Sequence, residues 1–259
     1  MSSPVVSPRA SLMVVSLLAL TLLLPVPSAA RAGSTVEVRY LAAGSIYETP
    51  MYIIRGLAPG PVFLITGGVH GSELAGWMAA GRFADREIQA GTFIVIPEAN
   101  RPAVGARTRL CPDGRFDLNR AFPTRPNASP TRLIAREIWS VFTDYRVEWF
   151  VDLHEAVYFY NDPKRDSIGQ TLIHYPGPTA TRMGNLAVQE LNQGISRRLH
   201  KFTLLNYPVP GSIARAAGDY LGVNSYIMET SRELPLATRI NYQVQVVEIF
   251  LRELGMSGR

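Results

Sequence analysis

His70 lies in the stretch GGVHGSE, and Glu73 follows it by three residues. If that stretch opens a helix, side chains three apart share a face, and an imidazole and a carboxylate point at one place. His154 directly follows the apolar run EWFVDL. Two imidazoles and one carboxylate, with a fourth position left to water, are the ligand set of a catalytic zinc site. Zinc suits hydrolysis because it lowers the pKa of bound water to about 7 and polarises a carbonyl. Alone, H-x-x-E is a common pair, and a lone histidine is more often a hydrogen-bonded core residue. Shared placement at the ends of two apolar, strand-like runs lifts both above that background.

Two other groups carry chemistry. Asp117-Leu118-Asn119-Arg120-Ala121-Phe122-Pro123 puts an amide beside a guanidinium. Arginine clamps a carboxylate bidentately, and the amide adds directed hydrogen bonds. The plain alternative is an Asx turn with a surface arginine. Glu229, in IMETS, closes a late apolar run. A carboxylate there serves as general base if its pKa lies near the working pH, and is otherwise a solvated strand-end glutamate.

The elements that must position these residues alternate along the chain. Strands are expected at Thr35–Leu41, Met51–Arg55, Pro61–Thr66, Thr92–Pro97, Glu148–Leu153, Thr171–Tyr175, Phe202–Asn206 and Ser225–Met228. Helices are expected at Ser72–Arg86, at Pro130–Thr143 with Ser129 as N-cap, and at Thr179–Arg198 and Ala237–Leu254. A loop rich in Gly, Pro and Arg fills Glu98–Pro130. Continuous apolar strands between helices predict an α/β fold: a mixed, mostly parallel central sheet with helices on both faces. Sites in such sheets form at the carboxyl ends of the strands.

Arg9 is the lone charge before the apolar run LMVVSLLALTLLL, which Pro25 and Pro27 end. The pattern is that of a secretory signal peptide cut after Ala32 or after Ala30; the alternative is an uncleaved anchor, for which the run is short of a spanning helix. It predicts a leader over residues 1–32, a single catalytic domain over 33–259, an exported (periplasmic or secreted) protein and no stable membrane anchor after cleavage. Losing Arg9 and Arg31 lowers the net charge from +5 to +3. With no basic run and 24 of 26 cations being arginine, a nucleic-acid partner is not expected. Composition, 47% hydrophobic and 18% charged, excludes a disordered or fibrous chain. Cys111 is the single cysteine, so no intrachain disulfide forms, and nothing beside it marks a catalytic dyad. No G-x-S-x-G elbow is present, which argues against a serine hydrolase.

H-x-x-E after Gly-Gly, then D-L-N-R-x-F-P, then D-L-H-E, then E-T after a late strand, in that order, resembles the zinc carboxypeptidase clan. Within it the chain looks most like the succinylglutamate desuccinylase/aspartoacylase family, over nearly all of residues 36–256. The resemblance implies a helix-sheet-helix sandwich and one zinc per chain held by His70, Glu73 and His154. It implies substrate-carboxylate binding by Asn119 and Arg120, proton transfer by Glu229, and orientation of His70 by Asp117. An upstream arginine would face the oxyanion: Arg109 is favoured over Arg101 and Arg107. A substrate-contacting tyrosine is expected among Tyr158, Tyr160 and Tyr207. Asp152 shares the face of His154 and reads either as core edge or as a carboxylate behind a ligand; Glu155 should look away from the metal.

These features predict a zinc-dependent hydrolase of an amide bond next to a free carboxylate. The substrate would be a peptide C-terminus, which export favours and which includes that of a cell-wall peptide, or an N-acyl amino acid. The competing classes are a binding protein that keeps the pocket without turnover and, last, a basic surface binder. With every motif position filled, the sequence holds no sign of decay.

Overall fold

Apolar runs between polar turns pair into one sheet of eight strands in the computed structural model, which describes residues 1–2 and 33–257. The leader expected over residues 1–32 lies outside the described residues, save for its first two positions. The chain divides between Arg31 and Ala32 into two units, and the second, Ala32–Arg259, carries the sheet.

β1 (Thr35–Leu41) and β2 (Thr49–Arg55) pair antiparallel at one edge. β3 (Ala58–Gly67), β4 (Ala90–Ile96), β5 (Trp149–Ala156) and β8 (Asn224–Ser231) run parallel through the centre. β6 (Thr171–His174) and β7 (Thr203–Asn206) complete the far edge, β6 antiparallel to β8. The order is β1-β2-β4-β3-β5-β8-β6-β7. Every residue of β5 is buried, as a strand covered on both faces must be.

Successive side chains enter different cores. Phe63 and Ile65 pack with Phe93 and Phe250 under α1 (Leu74–Gly81), α4 (Pro178–Gln193) and α6 (Leu236–Glu253). Leu64, Ile94, Phe150 and Ile227 pack on the opposite face under α3 (Leu133–Asp144) and α5 (Ile213–Leu221). The expected layered α/β architecture is thus present. Among the described residues no helix is long and apolar enough to cross a membrane.

Several boundaries differ from expectation. α1 stops at Gly81, and residues 82–86 continue as separate turns, Arg82 N–H bonding Ala79 O and Phe83 N–H bonding Ala80 O. α3 starts at Leu133 with Arg132, not Ser129, at its N-cap. The cause is Thr131, whose N–H is drawn onto Ala121 O at 2.9 Å. The Glu98–Pro130 loop contains α2 (Arg101–Ala106) and two short 3-10 turns, Asp113–Arg115 and Leu118–Arg120. α5 was not expected; Ser212 caps it, its Oγ accepting the Arg215 N–H at 3.1 Å.

Candidate metal centre and active site

The first ligands arise where β3 ends. Gly68 has φ +69°, a left-handed turn that suits glycine, and the chain reverses toward His70. Glu73 then stands at the N-cap of α1. That helix sits flush on the sheet because it carries Gly76: a Cβ there would lie 2.2 Å from the carbonyl oxygen of Leu153. The close approach brings Glu73 against His154, the next residue of β5.

Glu73 bridges the two imidazoles. His70 Nδ1 lies 2.8 Å from Oε1, and His154 Nδ1 lies 2.8 Å from Oε2. The remaining ring nitrogens also meet carboxylates: His70 Nε2 is 2.9 Å from Asp117 Oδ1, and His154 Nε2 is 2.8 Å from Asp152 Oδ2. Asp152 is itself fixed by the Thr66 hydroxyl, which donates to Oδ1 at 2.5 Å. All three cluster residues are buried, and their ligating atoms lie within 4.8 Å of one another.

A neutral imidazole has one N–H, yet each ring here faces a carboxylate at both nitrogens. Either both rings become imidazolium, or a cation replaces the proton on the Glu73 side. The donor set therefore fits a metal ion: His70, Glu73 and His154 would hold it, with Asp117 and Asp152 fixing the rings from behind, as metal-bound histidines usually require. The carboxylates around the rings favour positive charge there. Burial pushes the Glu73 carboxyl up, but both imidazoles outweigh it and hold it well below the usual range. Burial also opposes charge on His154, and Asp152 with Glu73 overcomes it, raising that histidine well above its ordinary value. For Asp117, burial is outweighed by the bond and charge of His70 and by Arg109, leaving its carboxyl at about 2.

The other expected residues surround the cluster. Arg109, not Arg101 or Arg107, reaches it: its guanidinium donates to Glu73 Oε1 at 3.2 Å and to Asp117 Oδ2 at 3.4 Å. Arg101 instead donates to Glu48 O, and Arg107 is exposed at the end of α2. Asn119 is buried, its Oδ1 accepting the Ile213 N–H at 3.3 Å, while Arg120 is exposed with one N–H on Asn119 O. Both line a cavity of about 290 Å³ with His70, Glu73, Arg109 and Glu229.

Glu229 is the ladder partner of His154 across β5 and β8. Burial pushes its carboxyl up to about 8, against the pull of His154. Its buried Oε2 has no hydrogen-bond partner among the described residues. Tyr158, Tyr160 and Tyr207 are exposed and not among the cavity's lining residues. Tyr158 and Tyr207 are instead faced by Arg165 and Arg215. Glu155 does turn away, its Oε2 accepting the Ala75 N–H at 3.1 Å and its Oε1 paired with Arg239.

Arg239 and Gln243 went unnoticed in the sequence. They occupy consecutive turns of α6 and brace consecutive residues of β5: Arg239 meets Glu155, and Gln243 Nε2 donates to His154 O at 2.9 Å. Their signal is polar side chains four apart on the face of a helix that otherwise packs into the core.

Residues 59–158 match the Succinylglutamate desuccinylase/Aspartoacylase catalytic domain. That segment belongs to this family. It contains the cluster, Arg109 and Asp117–Arg120, whereas Glu229 lies beyond it. An N-alpha-acetyl-L-2,4-diaminobutyric acid deacetylase from Halomonas elongata is 40% identical over 97 residues, 36% of this chain and 28% of the relative. In fold, the chain is similar to a succinylglutamate desuccinylase/aspartoacylase from Rhodobacter sphaeroides, with TM-score 0.64 and 22% identity over 89% of this chain and 68% of that one. It is also similar to the mDAP-bound form of Helicobacter pylori Csd4, a D,L-carboxypeptidase, with TM-score 0.66 and 22% identity over 76% of this chain and 51% of that one. The chain thus spans about half the length of Csd4.

Proposed function

We propose that the protein is a metal-dependent hydrolase that cleaves the amide bond of an N-acyl amino acid or short peptide bearing a free carboxylate. The observation that carries this is that Glu229, the ladder partner of His154, shares one cavity with His70, Glu73, Asn119 and Arg120. The Halomonas elongata deacetylase, 40% identical over 97 residues, supports an acyl group as the part removed.

A zinc ion held by the cluster would supply Lewis acidity, polarising the carbonyl and lowering the pKa of bound water to about 7. Asn119 and Arg120 bind the carboxylate and orient the amide. Arg109, already turned toward the cluster by Glu73 and Asp117, faces the developing negative charge. Glu229 takes the proton of the attacking water and passes it to the leaving nitrogen. Burial keeps its carboxyl basic enough to take that proton.

A panel of N-acyl amino acids and short peptides, assayed for released amine with and without a chelator, tests the proposal. Release that stops on chelation and returns with zinc is expected. Release unaffected by chelation would sink it. The leader pattern adds that the reaction takes place outside the cytoplasm; N-terminal sequencing of the protein made in cells should begin near Gly33, and a start at Met1 would contradict export by cleavage.

A further inference from the structure

We infer that the site selects substrates whose carboxylate-bearing unit carries an uncharged aliphatic side chain. The inference rests on the assignment of that carboxylate to Asn119 and Arg120. Beside its polar groups the cavity has an aliphatic lining of Val157, Ile168, Ile173, Val209 and Ile227. Ile227 stands two residues before Glu229 on the same face of β8, and its ladder partner on β6 is Ile173. Both isoleucines are buried in the wall, 3% and 8% exposed. Val157, Ile168 and Val209 join them at the opening, yet are 45%, 41% and 40% exposed. Three branched side chains left wet around one opening mark a surface that a ligand dries.

The aliphatic wall adjoins the carboxylate anchor, not only the scissile bond. Val209 O accepts the Ser212 N–H, Gly211 O accepts the Phe122 N–H, and the Ile213 N–H bonds Asn119 Oδ1. One short loop therefore carries Val209 and fastens Asn119 and Phe122, on either side of Arg120. A group held at that anchor presents its neighbouring side chain to Val209, Ile173 and Ile227.

Charge leaves little for a polar side chain. Glu155 is taken by Arg239, Glu73 by the two histidines, and Glu229 is the base assigned to the attacking water. A cationic side chain would meet Arg120 and Arg232, neither of which has a carboxylate partner among the described residues. An acidic side chain has Arg232 as its candidate partner. That guanidinium is exposed, where an ion pair is worth little, whereas each methylene buried against the isoleucines gains roughly three- to fourfold in affinity.

Binding to a zinc-loaded Glu229→Gln variant, which cannot turn over, tests the inference by calorimetry with N-acetyl-alanine, N-acetyl-leucine, N-acetyl-aspartate and N-acetyl-diaminobutyrate. N-acetyl-leucine should bind at least about tenfold more tightly than each of the others. Val209→Asp and Ile168→Asp, at exposed positions, should abolish that preference in wild-type kcat/KM without unfolding the chain. Equal binding of all four, or tighter binding of the aspartate or diaminobutyrate compound, overturns the inference while leaving amide hydrolysis standing. Binding of none, with no hydrolysis by the wild type, overturns both.

Discussion

His154 and Glu229 are ladder partners on adjoining parallel strands, so an imidazole of the cluster and the buried carboxylate beside it leave the same face of the sheet side by side. The neighbouring strands β3, β5 and β8 thus deliver His70, His154 and Glu229 in spatial order. Sheet register positions His154 and Glu229, the β3–α1 turn supplies His70 and Glu73, and the long connection after β4 supplies Arg109, Asn119 and Arg120.

Glu229→Gln should cut kcat by about 10²- to 10⁴-fold, the span of a general base, and leave zinc binding intact. A stopped-time amine-release assay alongside metal analysis checks both. A variant that keeps wild-type kcat would remove Glu229 from the reaction.

The same residue sets the acid side of the pH profile. Burial raises its carboxyl from 4.5 to about 8, and a bound dication pulls it back down. A base acts when ionised, so kcat/KM should fall as pH drops through a midpoint between those limits. A midpoint below 4.5 would show that burial does not control this group.

Asp152→Asn removes the negative partner of His154 Nε2 while keeping its shape. Metal affinity or activity should fall about 10- to 100-fold, read by chelator competition and by turnover. An unchanged affinity would make Asp152 part of the Thr66 hydrogen bond alone.

Arg239→Met strands Glu155, whose side chain is fully buried. Breaking such a pair costs about 3 kcal/mol, visible as a lower urea midpoint at constant slope. Adding Glu155→Gln should restore much of the loss. If Arg239→Met alone is neutral, the brace from α6 to β5 does not stabilise the fold.

The sheet and the cluster were legible because both rest on local signals. Apolar runs such as PVFLIT and TFIVIP mark buried strands, and His70, Glu73 and His154 are residue types that stand out at strand ends. What was not legible depends on distance in sequence. Arg101, Arg107 and Arg109 look alike until folding turns Arg109 alone onto Glu73 and Asp117. Asp152 was ambiguous because its role is decided by His154 and Thr66 together. The start of α3 moved because Thr131 bonds ten residues back to Ala121, a contact no propensity encodes. α5 was readable from Ser212 ahead of an alanine-rich run, but the Gly and Pro just before it read as loop.

Zinc titration of the metal-free protein tests the central claim most directly, with His70→Ala and His154→Ala measured in parallel. One site per wild-type chain is predicted, together with loss of that site in both variants. Wild-type stoichiometry and affinity retained in either variant would contradict a metal centre built on His70, Glu73 and His154.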